Sequence, residues 1–144
     1  MSKLIRDASA KELNMPKYKV MGTISEDASS LIVNLVKDND TSGVPRIMDE
    51  LTRFLGPVTN ISADLYDTPV DHNMAVSRNY KDPTSIFFLN VSYNISPEFF
   101  IDNVSYNMPR NTIVFINHRY PHRLVHQQKQ DMILMSGNFT WSAK

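Results

Sequence analysis

Four histidines, scattered carboxylates and serines carry the ligating or catalytic chemistry, because the chain contains no cysteine. That excludes disulfides, thiolate metal sites and a thiol nucleophile, leaving oxygen and imidazole donors. His118, His122 and His126 recur at every fourth position, which on a helix would put them on one face. The apolar run Ile113–Ile116 and the pair Leu124–Val125 favour strands joined by a turn instead. His72 directly follows Asp71. On an extended strand such neighbours face opposite ways, so both reach one ion only across a turn or bulge. No nucleophile-elbow motif supports Ser-His-Asp catalysis. Arg119-Tyr120 pairs a cation with a ring, as a nucleic-acid contact would, but no basic field surrounds it.

The elements that must position these residues change character along the chain. Pro16 and the alternation of Tyr18 and Val20 predict a first edge strand over residues 17–24. Glu26 and Asp27 suit the positive end of a helix dipole, and Ala28, Leu31, Ile32, Leu35 and Val36 follow at helical spacing. The short apolar run Leu31–Val36 is equally compatible with a strand. After the break at Thr41, Ser42 and Gly43, Pro45 opens an amphipathic helix whose stripe is Ile47, Met48, Leu51, Phe54 and Leu55, closed by Gly56-Pro57. That helix should pack on a sheet and carry no chemistry.

Beyond Pro57 the pattern turns to strands. Residues 60–66, 84–93, 98–101, 112–116, 123–126 and 131–141 are rich in β-branched and aromatic side chains, with Asn, Asp, Pro and Ser between them. Two helices followed by many short strands predict a mainly β (α+β) jelly roll braced on one face by helices. Phe87, Phe88, Phe99, Phe100, Phe115, Phe139 and Trp141 are expected in its core, alternating with polar residues. With 144 residues, 42% of them hydrophobic, the chain should form one domain, residues 1–57 supporting and 58–144 forming the β core.

Fifteen basic residues balance 15 acidic ones, and they are interspersed, so no nucleic-acid partner is expected. No apolar stretch approaches the roughly 20 residues that span a bilayer, and residues 1–12 lack the apolar core of a secretory leader. The expected location is the cytoplasm or a virus particle. The Asn-x-Ser/Thr sequons at Asn60, Asn90, Asn94, Asn103 and Asn138 then read as chance.

An ordered series runs through the second half: Tyr66, His72, Arg78, Ser85–Asn90 with its Leu-Asn end, Glu98-Phe99, Asn111–Phe115, Pro121-His122-Arg123-Leu124 and Ile133–Trp141. In order and spacing it resembles the prolyl-hydroxylase type of Fe(II)/2-oxoglutarate oxygenase. The resemblance implies a double-stranded β-helix and, if the protein is active, Fe(II) and 2-oxoglutarate as cofactors. Oxidation would fall on a C–H bond of a protein side chain, nucleotide or small molecule. His72 and His122 would be the two imidazole ligands.

Three positions depart from the family pattern. Its carboxylate ligand lies two residues after the first histidine, where Met74 stands. A thioether is a poor ligand for ferrous iron, and Asp71 is the candidate replacement. The arginine that pairs with 2-oxoglutarate, about nine residues after the second histidine, is replaced by Asp131. Lys129, Arg123 and Tyr66 are the remaining candidates for holding the cosubstrate. Ser96-Pro97 stands where the family shows a glycine pair. The alternative implied by these departures is a catalytically silent jelly roll, binding a protein partner or assembling with itself in a larger structure, possibly a viral one.

Overall fold

The computed structural model describes residues 15–74, 84–93, 97–126 and 131–141. Helix α1 (Glu26–Asp38) resolves the ambiguity around Leu31–Val36 in favour of a helix. Its ends explain why: the Ser25 hydroxyl accepts the Ala28 N–H at 3.1 Å, and Asn39 closes the helix in the left-handed region at φ 55°. Glu50 of the next helix accepts from both the N–H and the hydroxyl of Ser25, each at 2.8 Å, tying the two helices at this cap.

Helix α2 (Val44–Leu55) carries Pro45 in its first turn and ends at Gly56, whose φ of 73° favours glycine. Ile47, Leu51 and Leu55 form its buried face. Its Phe54 ring lies over Gly22, where a Cβ would sit 2.4 Å from the ring. Only a glycine lets the helix approach the first strand this closely.

Among the described residues, nine strands form two antiparallel sheets. The first sheet has the order β1 (Tyr18–Thr23), β7 (Thr112–Ile116), β4 (Thr84–Asn90), β9 (Met132–Thr140), β2 (Val58–Tyr66). The second has the order β3 (Val70–Met74), β8 (His122–His126), β5 (Glu98–Ile101), β6 (Val104–Asn107). Two of these strands, β3 and β6, carry no alternating apolar pattern. Strand β6 reads Val-Ser-Tyr-Asn on an edge and is largely exposed, and β3 reads Val-Asp-His-Asn-Met.

The three central strands of the five-stranded sheet, β7, β4 and β9, are buried on both faces. Phe87, Leu89, Ile113, Phe115, Ile133, Met135 and Phe139 pack toward the helices with Ile32, Ile47 and Leu51. Phe88, Val114, Ile116, Met132 and Leu134 point the other way and meet Phe99, Ile101 and Leu124 from the second sheet. Phe87 and Phe88 are therefore both core, but as adjacent residues on opposite faces rather than as apolar positions alternating with polar ones. An antiparallel sheet with one wet face would show that alternation; one sandwiched between helices and a second sheet does not.

On one flank of the barrel the edge strands of the two sheets are fastened to each other. The rings of Tyr18 and Tyr106 stack at 4.6 Å, the Tyr18 hydroxyl donates to the Asn107 carbonyl at 3.1 Å, and Lys17 pairs with Asp102 at 2.9 Å. On the other flank, three residues join β2 to β3. Among the described residues no helix is long and apolar enough to cross a membrane.

Candidate functional site

His122 opens strand β8, and the turn before it is held from several sides. Asn117 donates from its side chain to the Pro16 carbonyl at 3.1 Å. It also accepts from the Arg119 N–H at 3.2 Å and from its guanidinium at 3.3 Å. Arg119, buried, donates to the Thr84 carbonyl at 3.1 Å. The Tyr120 N–H closes the turn on the Asn117 carbonyl at 3.2 Å. None of this follows from a motif, because most acceptors are backbone carbonyls.

Within this frame the His122 ring is buried, and its Nδ1 lies 2.8 Å from the Tyr120 carbonyl. A carbonyl only accepts, so Nδ1 carries the proton and Nε2 keeps its lone pair. Burial pushes the His122 pKa down, partly opposed by that hydrogen bond. The ring is thus a neutral donor fixed in the tautomer that a metal ligand uses.

Strand β8 alternates, with His122, Leu124 and His126 buried and Arg123 and Val125 on the outer face. Strand β3 runs antiparallel beside it, pairing Met74 with His122, Asn73 with Arg123, His72 with Leu124 and Asp71 with Val125. Directly opposed residues share a face. Asp71, opposite Val125, therefore occupies the face away from His122.

The side chain of Asp71 agrees with its register. It takes a bidentate pair from Arg123, Nε to Oδ1 at 2.6 Å and a terminal nitrogen to Oδ2 at 2.7 Å. Both side chains are about half exposed, at 51% and 43%. The Arg123 guanidinium holds the Asp71 carboxyl below the usual range, and Asp71 in turn raises Arg123. Arg123 also lies 5.6 Å from the centre of the Phe100 ring. The carboxylate expected to join the histidines is turned away from His122, with no bulge in the β3–β8 register to bring it back. Arg123, a candidate for the cosubstrate, is occupied on that same outer face.

Tyr66 ends β2 in register with Met132, half-buried against the inner cluster, and burial pushes its phenol pKa up. Asp131 is exposed just before β9. Lys129, Arg78 and Ser96 lie outside the described residues. His126 is buried at the far end of β8 from His122. Asn90, the end of the Leu-Asn strand, knits the fold: its side chain donates to the Met108 carbonyl at 3.0 Å and accepts the Ser92 N–H at 2.9 Å.

No family model matches the sequence, and no curated protein matches it either. Solved structures do. A Pseudomonas putida prolyl-4-hydroxylase aligns with a TM-score of 0.65 at 10% identity, covering 96% of this chain and 100% of its own. The fold is a double-stranded β-helix. The same double-stranded β-helix recurs in the apo form of the non-heme monooxygenase ThoJ, with a TM-score of 0.57 at 7% identity over 92% of this chain and 77% of that one. It recurs again in the viral collagen prolyl hydroxylase of Paramecium Bursaria Chlorella virus-1, solved as a 2OG complex, with a TM-score of 0.54 at 8% identity over 91% and 99%. Identities this low speak for shared architecture.

Ferrous iron with 2-oxoglutarate needs a hard carboxylate beside two imidazoles and a cation facing the cosubstrate. Among the described residues no three His, Asp or Glu side chains converge in a way that could hold a metal. The one carboxylate adjacent in sequence is bound to Arg123 on the outer face, the position opposite His122 is a methionine, and the cosubstrate position is an aspartate. Among the described residues the side chains do not fit that pair of cofactors.

Proposed function

We propose that this chain is a non-catalytic double-stranded β-helix, a binding or structural module built on the architecture of 2-oxoglutarate oxygenases and working through a protein partner or its own assembly. The observation that carries this reading is the Asp71–Arg123 bidentate pair, which removes the carboxylate from the face that His122 occupies. A dication set among neutral donors in a buried site lacks the charge that would offset its desolvation.

The test is 2-oxoglutarate turnover by the purified full chain with Fe(II) and ascorbate. Succinate should stay at the level of free iron. The double variant Met74→Asp, Asp131→Arg, which restores the two charges at the family's positions, should gain Fe(II) and 2-oxoglutarate binding, seen as a visible charge-transfer band. Succinate formation by the unaltered chain that disappears in His122→Ala would overturn the proposal.

One observation favours a second reading, an active oxygenase: the His122 ring is buried with its Nδ1 proton on the Tyr120 carbonyl, which leaves Nε2 as the ligand atom. Such an enzyme would draw on His72 and His122 for iron and on Lys129 for the cosubstrate. The turnover assay separates the two.

A further inference from the structure

Among the described residues four strands end the two sheets, β1 and β2 in the first and β3 and β6 in the second. Strand β1 is fastened to β6 by the Tyr18–Tyr106 stack, and its register slips between Val20 and Gly22. Strands β3 and β6 are short, with five and four residues. Strand β2 has nine, and from Ser62 to Tyr66 it runs in unbroken register beside β9. A regular outer edge of this kind is a template for one more strand.

The residues of that edge complement their own sequence. Ile61 and Ala63 pack toward the helices and Tyr66 toward the barrel, so by alternation Leu65 lies on the helix side and Ser62 and Asp64 on the barrel side. A two-fold axis through Ala63 opposes Ile61 with Leu65 of a second copy, Ser62 with its Asp64, and Ala63 with its counterpart. Apolar meets apolar, a hydroxyl donates to a carboxylate, and the smallest side chain sits on the axis. An axis through Asp64 would instead set two carboxylates against each other. We propose that β2 pairs antiparallel with β2 of a second copy about Ala63, a proposal that rests on the module reading above and names its partner. Leu65, 41% exposed, is the large apolar side chain that this pairing covers. The register slip between Thr59 and Ser62, where Asn60 has a φ of 53°, ends the edge at Ile61. The two-fold then closes on two copies and leaves no strand to extend. A ladder from Ile61 to Leu65 falls short of the about 800 Å² per partner of a stable interface, so the dimer should form only as concentration rises.

The experiment is sedimentation velocity of the full chain from micromolar to near-millimolar concentration, where monomer should give way to dimer. Ser62→Asp sets a carboxylate opposite Asp64 at two places and should weaken association about 10-fold. Adding Asp64→Ser exchanges the two residues, restores their opposition and should recover the parent's association, which damage to the fold would not allow. Because the chain has no cysteine, Ala63→Cys places a single thiol on the axis, where opposed Cα atoms about 4.5–5.5 Å apart suit a disulfide. On oxidation it should link copies much faster than Ser105→Cys on β6. The proposal is overturned by a chain that stays monomeric throughout, which would leave the edge to a strand of another protein, by growth beyond the dimer, by equal linking rates in the two cysteine variants, or by an exchanged pair that fails to restore association. Succinate formation by the chain would instead strike at the module reading, so the two failures are distinct.

Discussion

If the central strands of the five-stranded sheet are buried on both faces, removing either ring of the adjacent pair Phe87 and Phe88 should damage the protein equally. Phe87 is fully buried on the helix side, and Phe88 is 6% exposed on the barrel side, where its ring lies 4.6 Å from that of Phe99. An aromatic side chain buries about 150–250 Å², which at about 25 cal/mol per Å² is roughly 4–6 kcal/mol. Allowing for the methyl that remains, each Phe→Ala substitution should cost about 3–5 kcal/mol. Neither site can collapse easily, because β4 is pinned by ladders to β7 and β9. The single tryptophan, Trp141, packs at 4.8 Å against Phe115 in the helix-side layer and reports unfolding. In urea, with a slope of about 2 kcal/mol per molar, the fluorescence midpoint should fall by about 2 M for each variant. A loss below about 1 kcal/mol for either one would mean that its face is wet, and the two-layer account would fail.

The depressed His122 pKa makes stability depend on pH in a defined window. The unfolded chain takes up a proton near the ordinary imidazole value of 6.5 while the buried ring stays neutral, so stability should fall as pH drops below 6.5 toward the lower folded value. Urea midpoints at pH 7.5 and 5.5 should differ in the parent and differ less in His122→Gln; equal differences would exclude this ring as the source. Gly22→Ala should destabilise by about 1–3 kcal/mol through overlap with the Phe54 ring. Phe54→Ala should remove most of that increment in a double-mutant cycle, whereas full additivity of the two substitutions would refute the clash.

How much could be read beforehand follows from where the information lies. The helix of residues 44–55 carries its own signals, Pro45 at the start and Gly56 at the end, and its boundaries agree with the sequence expectation to within a residue. Helix α1 was ambiguous by periodicity alone, and the Ser25 cap, a single hydroxyl, settles it. The jelly roll was legible from the order of strand segments, and its double-stranded β-helix form from the resemblance carried by the ordered motifs. Strands β3 and β6 were not, because polar edge strands gain their form from a neighbour rather than from their own side chains. The site was least legible of all. Which face Asp71 takes depends on its pairing with Val125, some fifty residues away in the chain, and a one-residue slip would reverse it.

The Tyr18–Tyr106 stack and the three-residue join between β2 and β3 give the barrel two unlike sides. One seam is continuous polypeptide and cannot part without unfolding. The other is a clasp of two rings, one hydrogen bond and one ion pair, each exchangeable for water. Cross-linking positions 18 and 106 would make that flank covalent as well while leaving both sheets whole.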